Sequence, residues 1–126
     1  MDVPAELRYS TDHEWARHEG ATVTIGITDY AQDALGDVVY VEVPTVGQQV
    51  SVGGALGEVE STKSVSEIYA PVSGTVVQVN EALADHPEVI NASPYGDGWL
   101  CVIELAEPSG YDTLLDAAAY EALIAG

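Results

Sequence analysis

The chain has 126 residues, 47% of them hydrophobic, and sets 21 acidic residues against 3 lysines and arginines, for a formal charge of −18. That length suits one domain with a real core, and the apolar fraction is that of a folded protein rather than an acidic disordered segment. The charge excludes nucleic acid and anionic membrane as partners, favours a monomer, and points to partners with basic faces whose encounter slows as salt rises.

The predicted elements are mostly strands. Arg8–Tyr9 and Glu14–His18 are short candidates, and Ala21–Ile27 follows the turn at Gly20 with β-branched Thr22, Val23, Thr24, Ile25 and Ile27. Over Thr28–Leu35 the period becomes helical. Thr28 or Asp29 caps, Gln32 closes a box onto Asp29, and Gly36 stands where a glycine ends helices. Val38–Val43 is a strand stopped by Pro44. Ala55–Glu60 and Ser64–Tyr69 flank a polar turn around Lys63, and Thr75–Asn80 alternates, with Val77 and Val79 on one face and Val76 and Gln78 on the other. Residues 46–52 and 72–79 both place a glycine in a short Val-rich run, which suggests two similar β units facing each other around the lysine hairpin. Residues 80–91 are loop-rich with a helical turn over Glu88–Ile90, residues 93–98 are turn chemistry, and Trp99–Leu105 is a strand. After Pro108, Leu114, Leu115, Ala118, Leu123 and Ile124 form an amphipathic stripe on one or two helices, with Asp116 as a cap in its middle. Frequent short strands with Gly/Pro turns indicate a mainly β sandwich or flattened barrel.

Catalytic constellations are thin. His13 and His18 fall on opposite faces of one strand, which argues against a shared metal, and His86 precedes a proline in a loop. Phosphate loop, nucleophile elbow and Cys-x-x-Cys are absent from the sequence. Cys101 lies in an apolar strand and reads as a buried inert thiol in a reducing compartment. The start shows no secretory, transmembrane or transit pattern, so a bacterial cytoplasmic or processed organellar protein is expected. What stands out is Lys63, the single lysine, at a hairpin tip beside Ser61, Thr62 and Ser64. Such an amine suits covalent modification; a solvated turn lysine is the plain alternative.

The segment Glu60-Ser61-Thr62-Lys63-Ser64-Val65-Ser66-Glu67-Ile68-Tyr69-Ala70-Pro71-Val72-Ser73-Gly74 resembles the lipoyl attachment region of the glycine cleavage system H protein family. The resemblance continues at residues 8–15 (RYSTDHEW), 26–37, 93–100 and 114–120, in order and over nearly the whole chain. It implies one lipoyl-carrier domain over residues 1–126, a barrel-sandwich hybrid of the lipoyl/biotinyl-carrier type with a short internal helix and C-terminal helices. It implies a non-catalytic carrier with lipoate on Lys63 Nζ. The dithiolane would accept the aminomethyl group from a pyridoxal-phosphate glycine decarboxylase and present it to a folate-dependent aminomethyltransferase. Dihydrolipoamide dehydrogenase would reoxidise the arm, and a lipoate ligase or lipoyltransferase would attach it. A loaded arm gains from a groove that excludes water. Within the matching motifs, Asp12 and Glu14 are candidates to hold the amine there, and Glu67 is a further groove candidate. Glu58 and Glu60, with Glu67, flank the lysine and would be read by the ligase or partner enzymes through charge.

Members of that family often carry a His in the early helix where this chain has Tyr30 and Ala34, and often Asp where it has Glu67. A biotin carrier normally sets its lysine between methionines, whereas here Thr62 and Ser64 are the neighbours. A lipoyl domain of a 2-oxoacid dehydrogenase is shorter and tethered by Pro/Ala-rich linkers. A relay donating lipoate to other enzymes would use the same lysine, and an unmodified acidic interaction module is the remaining alternative.

Overall fold

The computed structural model describes residues 2–125. Among these residues nine strands form two antiparallel sheets. The larger has the order β1 (Arg8–Tyr9), β2 (Glu14–Glu19), β3 (Thr22–Ile27), β9 (Cys101–Leu105), β8 (Gly74–Val79), β5 (Gln49–Val50). The smaller has the order β4 (Val38–Glu42), β6 (Ala55–Ser61), β7 (Val65–Tyr69). Val41, Val59 and Ile68 of the small sheet share one buried cluster with Val23, Ile25, Val76 and Ile103 of the large one, so the main core lies between the sheets. This is the expected mainly β sandwich.

Helix α1 (Asp29–Leu35) forms as the sequence indicates. Thr28 Oγ1 accepts from the Ala31 N–H at 3.2 Å, Gln32 Nε2 donates to Asp29 Oδ1 at 2.7 Å, and Gly36 ends the helix at φ 83°. Helix α2 (Val89–Ala92) starts one residue after the predicted turn does and ends two residues after it. Short 3₁₀ segments occupy Glu81–Ala84 and Pro108–Thr113.

Three expectations need correction. The runs 46–52 and 72–79 do not face each other; β5 and β8 are neighbours in one sheet, pairing Gln49 with Thr75 and Val50 with Gly74. Strand β8 does not alternate simply. Its register shifts between Val76 and Gln78, so Val76 is buried while both Val77 and Gln78 are exposed, as a bulge requires. The C-terminal stripe is also different. Asp116 begins the helix rather than interrupting it, its Oδ1 accepting from the Ala119 N–H at 2.8 Å. Helix α3 (Ala117–Ala125) buries Ala117 and Tyr120, while Leu115 pairs with Tyr9 ahead of it and Leu123 is exposed.

A second buried cluster lies on the other side of the large sheet, where Tyr9 and Trp15 meet Ala117 and Tyr120 of α3, and the Tyr9 and Tyr120 rings stack at 4.6 Å. Trp15 is paired across strands with Gly26, and a Cβ at Gly26 would come within 2.5 Å of the indole. Gly26→Ala is therefore expected to destabilise the fold by about 1–3 kcal/mol through overpacking, read as a lower urea midpoint. An unchanged midpoint would show that the indole can move aside.

Candidate functional site

Lys63 stands exposed at the end of the β6–β7 hairpin. Among the described non-glycine residues only His13 has a positive φ, so this connection lacks the left-handed residues that short hairpins commonly use. Ser61 closes it instead. Its Oγ accepts from the N–H of Lys63 at 3.2 Å and of Ser64 at 3.1 Å, and its own N–H donates to the Ser64 carbonyl at 2.8 Å. The turn is also tied to the body of the protein. The Thr62 N–H donates to the Asp37 carbonyl at 3.1 Å, and a Cβ on Gly36 would lie 3.3 Å from Lys63 Cε, so the lysine stem passes over the end of α1. The other two cations are engaged elsewhere. Arg8 donates to the Leu114 carbonyl and sits over the Tyr111 ring, and Arg17 pairs with Glu19 beside Trp15. Among the described residues Lys63 Nζ has no hydrogen-bond or ion-pair partner.

Beside this turn, between α1 and β7, is a cavity of about 270 Å³. Ile27, Ala31, Leu35 and Ile68 give it an apolar floor, with Ser66 and His13 at its polar side. Tyr30 and Ala34 line the same cavity, and the Tyr30 ring packs on His13 at 4.7 Å. A second cavity of about 240 Å³ is lined by Ser10, Glu14, Ala70 and Pro71. Asp12, exposed, lines both.

Glu14 is not a surface carboxylate. It is 2% exposed, it accepts from the Ser10 hydroxyl at 2.5 Å, and it accepts from the Tyr69 N–H at 3.4 Å. Burial pushes its pKa up to about 7, against the pull of the Ser10 and Tyr69 hydrogen bonds, and the charge of Asp12 adds to the rise. His13 precedes β2 rather than lying on it, at φ 70°. Its Nδ1 is 2.9 Å from the Tyr120 hydroxyl, which is 2.7 Å from Thr28 Oγ1, and burial lowers its pKa. His18 stacks on Tyr111 instead. Sequence patterning missed His13 and Tyr120 because their link spans residues that no local period connects.

Glu67 is not brought to Asp12 and Glu14. Strand alternation turns it away from Ser66 and Ile68, onto the outer face of the small sheet. There Glu42, Glu58 and Glu67 stand in one cross-strand row, and Tyr40, Glu60 and Val65 in the next. Like charges directly opposite one another oppose pairing, yet this face keeps three. Cys101 is fully buried on β9 with its thiol pushed up to about 12, and His86 is exposed beside Glu88.

A family model described as glycine cleavage H-protein matches residues 7–126. The chain belongs to that family. Among H proteins, it is 57% identical to the glycine cleavage system H protein of Geobacillus kaustophilus over 124 residues, covering 98% of each chain. It is 53% identical to that of Anaeromyxobacter sp. (strain K), over 98% of this chain and 97% of the relative. The crystal structure of a glycine cleavage system H protein from Mycobacterium marinum superimposes with a TM-score of 0.89 at 42% identity, covering 98% of this chain and 100% of that one. Membership of the H-protein family makes this a lipoyl-carrier component of the glycine cleavage system. No helix among the described residues is long and apolar enough to cross a membrane.

Proposed function

We propose that the chain bears lipoate in amide linkage on Lys63 and serves, without catalysis of its own, as the carrier between glycine decarboxylase, aminomethyltransferase and dihydrolipoamide dehydrogenase in a bacterial cytoplasm. A lipoate ligase or lipoyltransferase would modify it, and the whole of residues 1–126 would act as one carrier domain. When bound, lipoate supplies the disulfide exchange and one-carbon transfer chemistry, leaving position and recognition to the protein. The observation that carries this reading is the placement of Lys63: an unpaired amine on a turn anchored by Ser61 and Asp37, next to an apolar cavity.

The residues around that root have separable tasks. Ile27, Leu35 and Ile68 keep water away from whatever enters the cavity. Asp12 and Glu14 offer carboxylates to a protonated amine at the far end of an arm. Glu58, Glu60 and Glu67, on the outer face, draw in a cationic partner surface. The test is reconstitution with glycine decarboxylase: the lipoylated chain should support glycine-dependent release of carbon dioxide, and the unmodified chain should not. Equal activity of the two forms would overturn the reading.

The acidic row makes a prediction of its own. Replacing Glu58 and Glu67 together by Gln removes a cross-strand repulsion, so stability should rise by about 0.2–1 kcal/mol. Association with the partner enzymes should slow about threefold or more at low salt, and the deficit should vanish at high salt. Stopped-flow association at two salt concentrations distinguishes this from a row that is merely solubilising, which would leave the rate unchanged.

A further inference from the structure

Asp37, whose carbonyl receives the Thr62 N–H, is held from both sides by one side chain. Asn91 of α2 accepts from the Val38 N–H through Oδ1 at 2.8 Å, and its Nδ2 donates to the Gly36 carbonyl at 2.8 Å. The carboxamide thus mimics a strand edge across the link between α1 and β4. Its second N–H donates to Gln32 Oε1 at 3.0 Å, and Gln32 in turn donates to Asp29 at the start of the same helix. Asn91 therefore has every polar group of its side chain in use. A carboxamide alone supplies one acceptor and two donors in this geometry; Asp has no donor when ionised.

We propose that Asn91 is the positioning residue for the lysine turn. It fixes Gly36–Asp37–Val38, and that link sets the turn through the Thr62 N–H, with the lysine stem passing over Gly36 where a Cβ would crowd it. Asn91 bonds residues 36 and 38 on either side of Asp37, so the effect passes through the backbone of residues 36–38. The functional side of this inference rests on the reading of Lys63 as the modified residue, whereas its structural side does not.

The experiment is amide hydrogen exchange, residue by residue, on the unmodified chain carrying Asn91→Ala or Asn91→Asp. Ile103→Val, in β9 on the other sheet, serves as a control for a general loss of stability. A lost hydrogen bond of ordinary strength frees the link locally, so the Thr62 amide should exchange about tenfold faster or more in both Asn91 variants. In Ile103→Val it should keep its protection relative to the core amides. The same variants are then offered to a lipoate ligase: the turnover number for Lys63 should fall in the Asn91 variants while the KM for lipoate stays constant. Asn91→Asp preserves volume and the acceptor for Val38, so it remains informative if Asn91→Ala folds poorly. Unchanged Thr62 exchange, or exchange that rises only in step with all core amides, overturns the proposal. If the wild-type chain accepts no lipoate at all, the reading of Lys63 fails, and the exchange result still decides the role of Asn91.

Discussion

Lys63→Arg is expected to abolish lipoylation completely while leaving the fold intact. Intact mass of the wild-type chain from its native host should show one lipoyl increment, and the variant none. The chemistry requires this outcome. An amide bond needs a nucleophilic amine, and the guanidinium of arginine stays protonated under all ordinary conditions. The chain contains no second lysine that could take over. The fold should not notice, because Lys63 is exposed and makes no polar contact among the described residues beyond its backbone N–H. Thermal midpoints within a degree or two of each other would establish that the loss is chemical rather than structural. A biotinyl increment on the wild-type chain would move it to the biotin carriers. No increment would leave the lysine a turn residue on an acidic β scaffold. Loss of lipoate from other enzymes in cells lacking this chain would identify a relay as well as a carrier.

How much of this site can be read from residues alone differs by element. The α1 helix was legible to its caps, because Thr28, Gln32 and Gly36 act over a few residues and each leaves a local mark. The lysine hairpin was legible for the same reason: alternating apolar and polar residues on either side of a short hydroxyl-rich stretch. What the periodicity could not register was contact between distant elements. Asn91 reads as an ordinary loop residue until α2 lies against the α1–β4 link. Tyr120 falls outside the expected stripe of aliphatic residues, yet it is the fully buried anchor of α3, stacked on Tyr9 and bonded toward His13 and Thr28. Glu67 illustrates a different gap. Its position in the family's motif suggests the groove, but period-two alternation from Ile68 turns it to the outer face. Glu14 shows a third gap: the motif makes it a candidate carboxylate, but its burial comes from the pairing of β2 with β3, the closure of the Ser10 loop and the Tyr69 N–H, which no local pattern records.

That enclosure gives the second large effect. Glu14→Gln should flatten the dependence of stability on pH between about 4.5 and 7. In the unfolded chain the carboxyl has its ordinary value of 4.5; in the fold, burial raises it to about 7. The folded state therefore holds this proton more tightly. Its contribution to stability is complete below 4.5 and is lost as pH rises through 7. The gap between the two values corresponds to about 3 kcal/mol. The Gln variant, neutral throughout, should exceed the wild type by up to that amount near about pH 8 and match it within about 1 kcal/mol near about pH 4.5, where both side chains are uncharged. Urea titrations at the two pH values read this directly, and parallel curves for the two proteins would show that the carboxyl is not strained. The expense of keeping a carboxylate here is the reason to connect it with function. Among the described residues an ionised Glu14 has only the Ser10 hydroxyl and the Tyr69 N–H to satisfy it, and Asp12 beside it repels rather than relieves it. A protonated amine brought in on the arm would supply the missing positive charge, stabilise the ionised form and release the proton that Glu14 holds near neutrality. The same substitution that stabilises the resting protein should therefore weaken its hold on an amine-bearing arm, and the two effects should share one pH window.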